Sequence, residues 1–129
     1  MKLAIVGSRE YPNEEQVRAL VRSLPLDWEI VSGGCDGVDA WAESEAKLRG
    51  MKVTAFRVPE TAWRANRGAA FMRNGHVAAY CEALVAFPHG LARGTMDTVV
   101  KAVTLGRPIF VVAPDDPLPT VDQIARRRE

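Results

Sequence analysis

Short apolar runs alternate with amphipathic stretches along the whole chain. Runs rich in Val, Ile and Phe occupy residues 2–6, 28–31, 51–57, 82–87 and 108–113. Their continuous rather than alternating character predicts strands covered on both faces. Between the first two runs, Val17, Leu20, Val21 and Leu24 recur at i, i+3, i+4 and i+7, the stripe of a core-facing helix. Val38, Trp41, Ala42 and Ala46 repeat the pattern and stop at Gly50, while Met96, Val99, Val100 and Val103 stop at Gly106. Glycine just past the last periodic residue is the usual helix terminator. An alanine-rich segment over residues 67–81 supplies a further helix, and residues 59–66 read as a loop. Five strands alternating with four helices predict an α/β fold, Rossmann-like and doubly wound, with a mainly parallel five-stranded sheet and helices on both faces. A Pro-containing tail, 113–129, closes with a short helix near residues 120–128 that carries Arg126, Arg127 and Arg128.

The 129 residues suit a single domain, 1–129. A hydrophobic share of 47% and a charged share of 26% place the chain among globular proteins and exclude a disordered one. The N-terminus runs straight into a strand-like KLAIVG, which predicts neither a secretory signal nor a membrane span, and hence a cytoplasmic protein with no membrane partner. Cys35 and Cys81 lack a C-x-x-C spacing, so no metal site is expected. Cys35 reads as a small packed residue in a tight turn.

Candidate chemistry lies where strands give way to helices. Gly7, Ser8 and Arg9 follow the first apolar run, Ser32 to Gly37 the second, and Arg93, Gly94 and Thr95 the fourth. A strand turning through glycines into a helix offers free backbone N–H groups and the positive end of the helix dipole, and together these favour phosphate. In a doubly wound sheet all three turns would gather at the carboxyl edge. A phosphate at Gly94 and Thr95 would take amide bonds, the Thr95 hydroxyl and a guanidinium from Arg93 or Arg73. Thr95 as a plain helix cap is the competing reading. Gly33 and Gly34 would admit a ligand close to the backbone, with Asp36 or Asp39 accepting from ribose hydroxyls, although Asp36 equally suits an N-cap. Trp63 would stack on a base, lid the crevice, or pack against a partner subunit.

Taken in order, Ile5 to Arg9, Val31 to Asp39, Trp63, Arg73 with Asn74, and Arg93 to Asp97 resemble the SLOG superfamily of Rossmann-like proteins, in particular its small YspA-like branch. The resemblance covers nearly the whole chain. It implies a protein that binds a nucleotide or nucleotide-derived ligand, with Asn74 added to the ligand-binding set. The superfamily's lonely-guy phosphoribohydrolases imply an alternative, cleavage of the N-glycosidic bond of a nucleoside 5′-monophosphate. Arg73 would then hold phosphate or leaving group and Asp97 would be the carboxylate, although Thr98 stands where the family's glutamate is expected. The similarity of Ser32 to Asp39 to the DNA-processing protein A family implies a third reading, single-stranded DNA binding. A formal charge of +1 argues against nucleic acid as a partner. No cofactor is required, beyond Mg²⁺ accompanying a nucleotide. The apolar face of residues 96–103 predicts a homodimer.

Overall fold

The computed structural model describes residues 1–65 and 68–126, without the side chains of residues 63–65. Five strands, β1 (Lys2–Gly7), β2 (Glu29–Ser32), β3 (Lys52–Ala55), β4 (Ala83–Phe87) and β5 (Ile109–Val111), form one sheet in the order β3-β2-β1-β4-β5. Every pairing is parallel. Leu3 stands opposite Ile30 on one side and Ala83 on the other, which places β1 at the centre. The chain winds outward from β1 through β2 to β3 and then returns to build β4 and β5 on the other side. The point where it reverses lies between β1 and β4, and there the strands' carboxyl ends leave a crevice.

The central strands are apolar throughout because both their faces are covered. Leu3, Ile5, Ile30, Val85 and Phe87 point to one layer, where they meet Val17, Leu20 and Val21 of α1 (Glu14–Ser23) and Val38, Ala42 and Ala46 of α2 (Val38–Leu48). Their neighbours Ala4, Val6, Val31, Leu84 and Ala86 point to the other layer, against Val77 and Ala78 of α4 (Gly68–Tyr80) and Val99 and Ala102 of α5 (Arg93–Thr104). The fold class expected from the apolar pattern is the one observed. Among the described residues, no helix is long and apolar enough to cross a membrane.

One element departs from the sequence pattern. Residues 59–66 read as a loop, whereas α3 occupies Glu60–Ala65. Six residues are too few to show a periodic stripe, but Pro59 followed by Glu60 in the first turn is a helix-start signal.

The tail is docked against the N-terminus of α1. Asn13 caps α1 by accepting from the Gln16 amide (3.1 Å) and donates to the Pro114 carbonyl (2.9 Å). The Gln16 side chain donates to the carbonyls of Ala113 (2.9 Å) and Asp116 (3.0 Å). Beyond this clamp, α6 (Val121–Arg126) inserts fully buried Ile124 into the α1/α2 layer. Arg127 and Arg128 lie outside the described residues. Replacing a fully buried aliphatic side chain with alanine costs about 2–5 kcal/mol. Ile124→Ala is therefore expected to lower the unfolding free energy by that amount in urea titration, and an unchanged midpoint would show that α6 contributes nothing to the core.

Candidate functional site

The loops at the carboxyl edge are tied together by one carboxylate. Asp39, in the first turn of α2 and only 3% exposed, accepts from the Gly7 amide at 3.2 Å, the Gly33 amide at 3.1 Å and the Cys35 amide at 3.4 Å. Burial pushes its carboxyl up to about 7, against the opposite pull of those three amides and of the Arg73 guanidinium nearby. The amides of the first two glycine turns, expected to face a ligand, are thus turned in part to Asp39, and the Ser8 amide bonds the Phe87 carbonyl at 3.1 Å.

The glycines divide by the space beside them. A Cβ on Gly7 would fall 2.6 Å from Val38 Cγ2 and 2.7 Å from the Phe87 carbonyl oxygen, so this residue is glycine to let α2 and β4 approach β1. Gly34 has φ +73 and lies under the Arg57 side chain, and Gly33 abuts Asp39 and Arg73. Gly94 differs. It sits in the first turn of α5, requires no left-handed backbone, and a Cβ there would meet nothing within 4 Å.

The first turn of α5 has donors to spare. Arg93, Gly94 and Thr95 are the first residues of α5, whose amides have no carbonyl one turn back to bond. The first intrahelical bond, from the Met96 amide to the Ala92 carbonyl, closes at 2.9 Å beyond them. Ala92 is the N-cap, supplies no side-chain bond, and is held in the left-handed region at φ 44, ψ 39. Thr95, a candidate cap by its chemistry, is instead the third helical residue, at 8% exposure.

Two polar links hold the walls. The Ser8 hydroxyl donates to the His89 carbonyl (3.1 Å) and accepts from the His89 amide (2.8 Å), joining the turns after β1 and β4. On the α4 side, Arg73 donates to the Gly33 carbonyl and to Asn74 Oδ1 (2.8 Å). Buried Asn74 donates to Asp97 Oδ2 (3.0 Å) and the Gly94 carbonyl (3.4 Å), and Asp97 is also paired with Lys101 at 2.6 Å.

These elements enclose a crevice of about 1040 Å³, large for a small-ligand pocket. Of the residues singled out in the sequence, Gly7, Ser8, Arg9, Gly33, Gly34 and Asp36 line its β1/β2 side, together with Asp39 beneath them. Arg73, Asn74, Arg93, Gly94 and Thr95 line the opposite side. Asp36 is exposed, and the N-cap position of α2 belongs to Gly37. Arg9 and Arg93 are exposed and have no ion-pair partner among the described residues. Ser32 lies below the crevice, fully buried, donating to Glu43 (2.6 Å) and accepting from the Gly34 amide (3.0 Å). Asp97 faces Lys101 and Asn74 rather than the lining. The Trp63 side chain lies outside the described residues.

Phe71 and Leu91 also line the crevice while remaining 56% and 83% exposed, and sequence reasoning missed both. Phe71 falls in an alanine-rich helix without a clear stripe, so no periodicity marked its outward face. Among the described residues, no group of three or more His, Cys, Asp or Glu is placed to hold a metal ion.

No protein-family model and no curated protein sequence matches the chain. Solved structures do. DNA processing protein A from Streptococcus pneumoniae superposes with a TM-score of 0.75 at 21% identity over 98% of this chain. The chain has the fold of DNA processing protein A. It spans 54% of that protein's length, about half. The DNA processing protein A of Helicobacter pylori, whose structure was described for its single-stranded DNA binding mode, gives a TM-score of 0.74 at 22% identity over 98% of this chain and 70% of its own. The structure of TM1055 is similar at a TM-score of 0.62 and 19% identity, over 84% of this chain and 71% of that one. The resemblance to the SLOG superfamily therefore holds at the level of the fold.

The Helicobacter pylori DNA processing protein A also overturns one expectation, that nucleic acid is not a partner. A formal charge of +1 sums over the whole surface, whereas binding depends on the local field. Here Arg9, Arg73 and Arg93 line one crevice together with Glu10, Asp36 and buried Asp39.

The Asp39 carboxyl carries a stability consequence. Its folded pKa of about 7 lies above its ordinary 3.8, so between these values the folded state holds a proton that the unfolded state has lost. Its contribution is fully present below about pH 4 and falls away as pH rises to about 7, by on the order of 4 kcal/mol for the single site. Urea titrations across that range should show this downward slope in the wild type and lose it in Asp39→Asn. Equal slopes in the two proteins would assign the pH dependence elsewhere.

Proposed function

We propose that the protein binds single-stranded DNA, seating one backbone phosphate on the first turn of α5. The observation that carries this reading is Gly94. Glycine in a helix costs roughly 0.5–1 kcal/mol relative to alanine, and neither packing nor backbone conformation requires it here. What it leaves open is the approach to the three donor amides of Arg93, Gly94 and Thr95 at the positive end of the helix dipole. Arg9 and Arg93 add charge-assisted contacts from opposite sides of the crevice. The exposed ring of Phe71 offers a face on which a base can stack, which tolerates any base. The fold shared with DNA processing protein A, one of whose structures concerns single-stranded DNA binding, supports the same reading.

A free nucleotide is the second reading, since the phosphate chemistry is identical and the crevice is a pocket rather than a flat surface. Hydrolysis of its glycosidic bond draws no such support. The Asp97 carboxylate that it would use is taken up by Lys101 and Asn74.

Fluorescence anisotropy with a labelled oligodeoxythymidylate tests the proposal, with mononucleotide and duplex as competitors. Single strand should bind and displace better than duplex. Each phosphate neutralised in a single strand contributes about −0.7 to the slope of log K against log salt, so the one phosphate seated at α5 predicts a shallow contribution of roughly −0.7. Mononucleotide binding without any oligonucleotide binding would select the second reading, and no binding by either would overturn both.

Gly94→Ala separates function from folding. The variant should be more stable than the wild type by about 0.5–1 kcal/mol and bind at least about tenfold more weakly, ~1.4 kcal/mol. Unchanged affinity would remove the phosphate from this turn.

A further inference from the structure

The crevice does not end at the second glycine turn. Gly34, Cys35 and Asp36 line it on one side and, on the other, line a second hollow of about 530 Å³ on the outer face of α2. The floor of this hollow is a helix face of small or short side chains, Ala40 and Ser44, followed one turn later by Lys47. All three are exposed, and Lys47 has no ion-pair partner among the described residues. Exposed Leu48 and the Arg57 side chain form the walls.

Arg57 is fixed in place. Its alkyl chain crosses Gly34, and its guanidinium pairs with Glu43 and reaches the Gly34 carbonyl at 3.4 Å. Glu43, 5% exposed, is held in turn by the Ser32 hydroxyl at 2.6 Å. With Glu43 paired to Arg57, Lys47 and Asp36 are the charges left to act on a ligand.

Resting on the reading proposed above, we infer that the second hollow is a further subsite for the same strand. It takes a phosphate further along the strand at Lys47 and Ser44, while the first phosphate occupies α5. Ala40 and Ser44 let a sugar-phosphate backbone lie close to the helix, Ser44 donates a hydrogen bond, and Lys47 supplies the charge. Asp36, on the ridge between the hollows, repels phosphate. It thereby sets the path of the strand, with phosphates on either side of the ridge and the intervening nucleotides crossing above it. The partner is a polynucleotide rather than a mononucleotide, because only a chain occupies both hollows at once.

A length series of oligodeoxythymidylates, from mononucleotide upward, tests this with the wild type and Lys47→Glu, whose fold is checked by thermal unfolding. Wild-type affinity should rise once the strand is long enough to carry a second phosphate past Asp36. Lys47→Glu should weaken the longer oligomers about tenfold, flatten their salt slope by about 0.7, and leave the mononucleotide unchanged. Affinity independent of length, or a Lys47→Glu effect equal for mononucleotide and oligomer, would overturn the second subsite while leaving the α5 site intact. Loss of all binding by the wild type would overturn both.

Discussion

Where parallel strands end, the chain must turn through loops whose backbone donors have no ladder to join, and in this protein the Asp39 carboxylate resolves that problem for two loops at once. It gathers amides from the turns after β1 and β2, so the first-turn residue of α2 fixes the positions of both. A buried donor left unsatisfied costs about 1–3 kcal/mol, so each amide that Asp39 accepts is a penalty avoided. The arrangement carries its own cost, because an ionised carboxylate at 3% exposure is desolvated. Three amides and the Arg73 guanidinium offset only part of that, and the group consequently titrates near neutrality.

Fixing those two loops makes the floor of the crevice, and the turn after β4 forms its wall. Two hydrogen bonds between Ser8 and His89 join it to the floor, and Asn74 reaches it from α4 through the Gly94 carbonyl. A donor-rich helix terminus held over a preorganised floor suits recognition of an anion, since little ordering remains to be done on binding. Arg9, Arg73 and Arg93 line the crevice together with Glu10, Asp36 and Asp39, so its local charge depends on where each group stands rather than on the total.

The sheet was legible in the sequence because its central strands are buried on both faces, and a continuous apolar run as short as Leu3 to Val6 is too brief for a buried helix. The place of the crevice followed from the winding order. The glycines were legible as turns but not in their purposes, since the neighbours that decide them, Val38 and Phe87 for Gly7 or Arg57 for Gly34, are distant in sequence or set by tertiary packing. Asp39 could be marked as a site residue, yet its partners could not be foreseen, because a first-turn aspartate looks the same whether it meets a ribose or a backbone amide. The start of α5 was illegible for a related reason. Thr95 has the chemistry of a cap, whereas the cap position is held by Ala92, a residue that propensity would not choose.

That choice bears on the site proposed above. Ala92 sits in the left-handed region, which costs a non-glycine residue roughly 1–2 kcal/mol, and two positions later Gly94 gives up helix stability with no packing gained. A helix free to optimise its own start would have a serine or aspartate cap and an alanine behind it. Such a cap would commit its oxygen to the same amides that a phosphate would use. Two local penalties two residues apart at the mouth of a crevice, beside a core in which buried aliphatic residues fill both layers, are a conflict between local preference and global fold of the kind that supports the site proposed above. The helix terminus is left incomplete by the protein's own residues, and an anion arriving from outside would complete it.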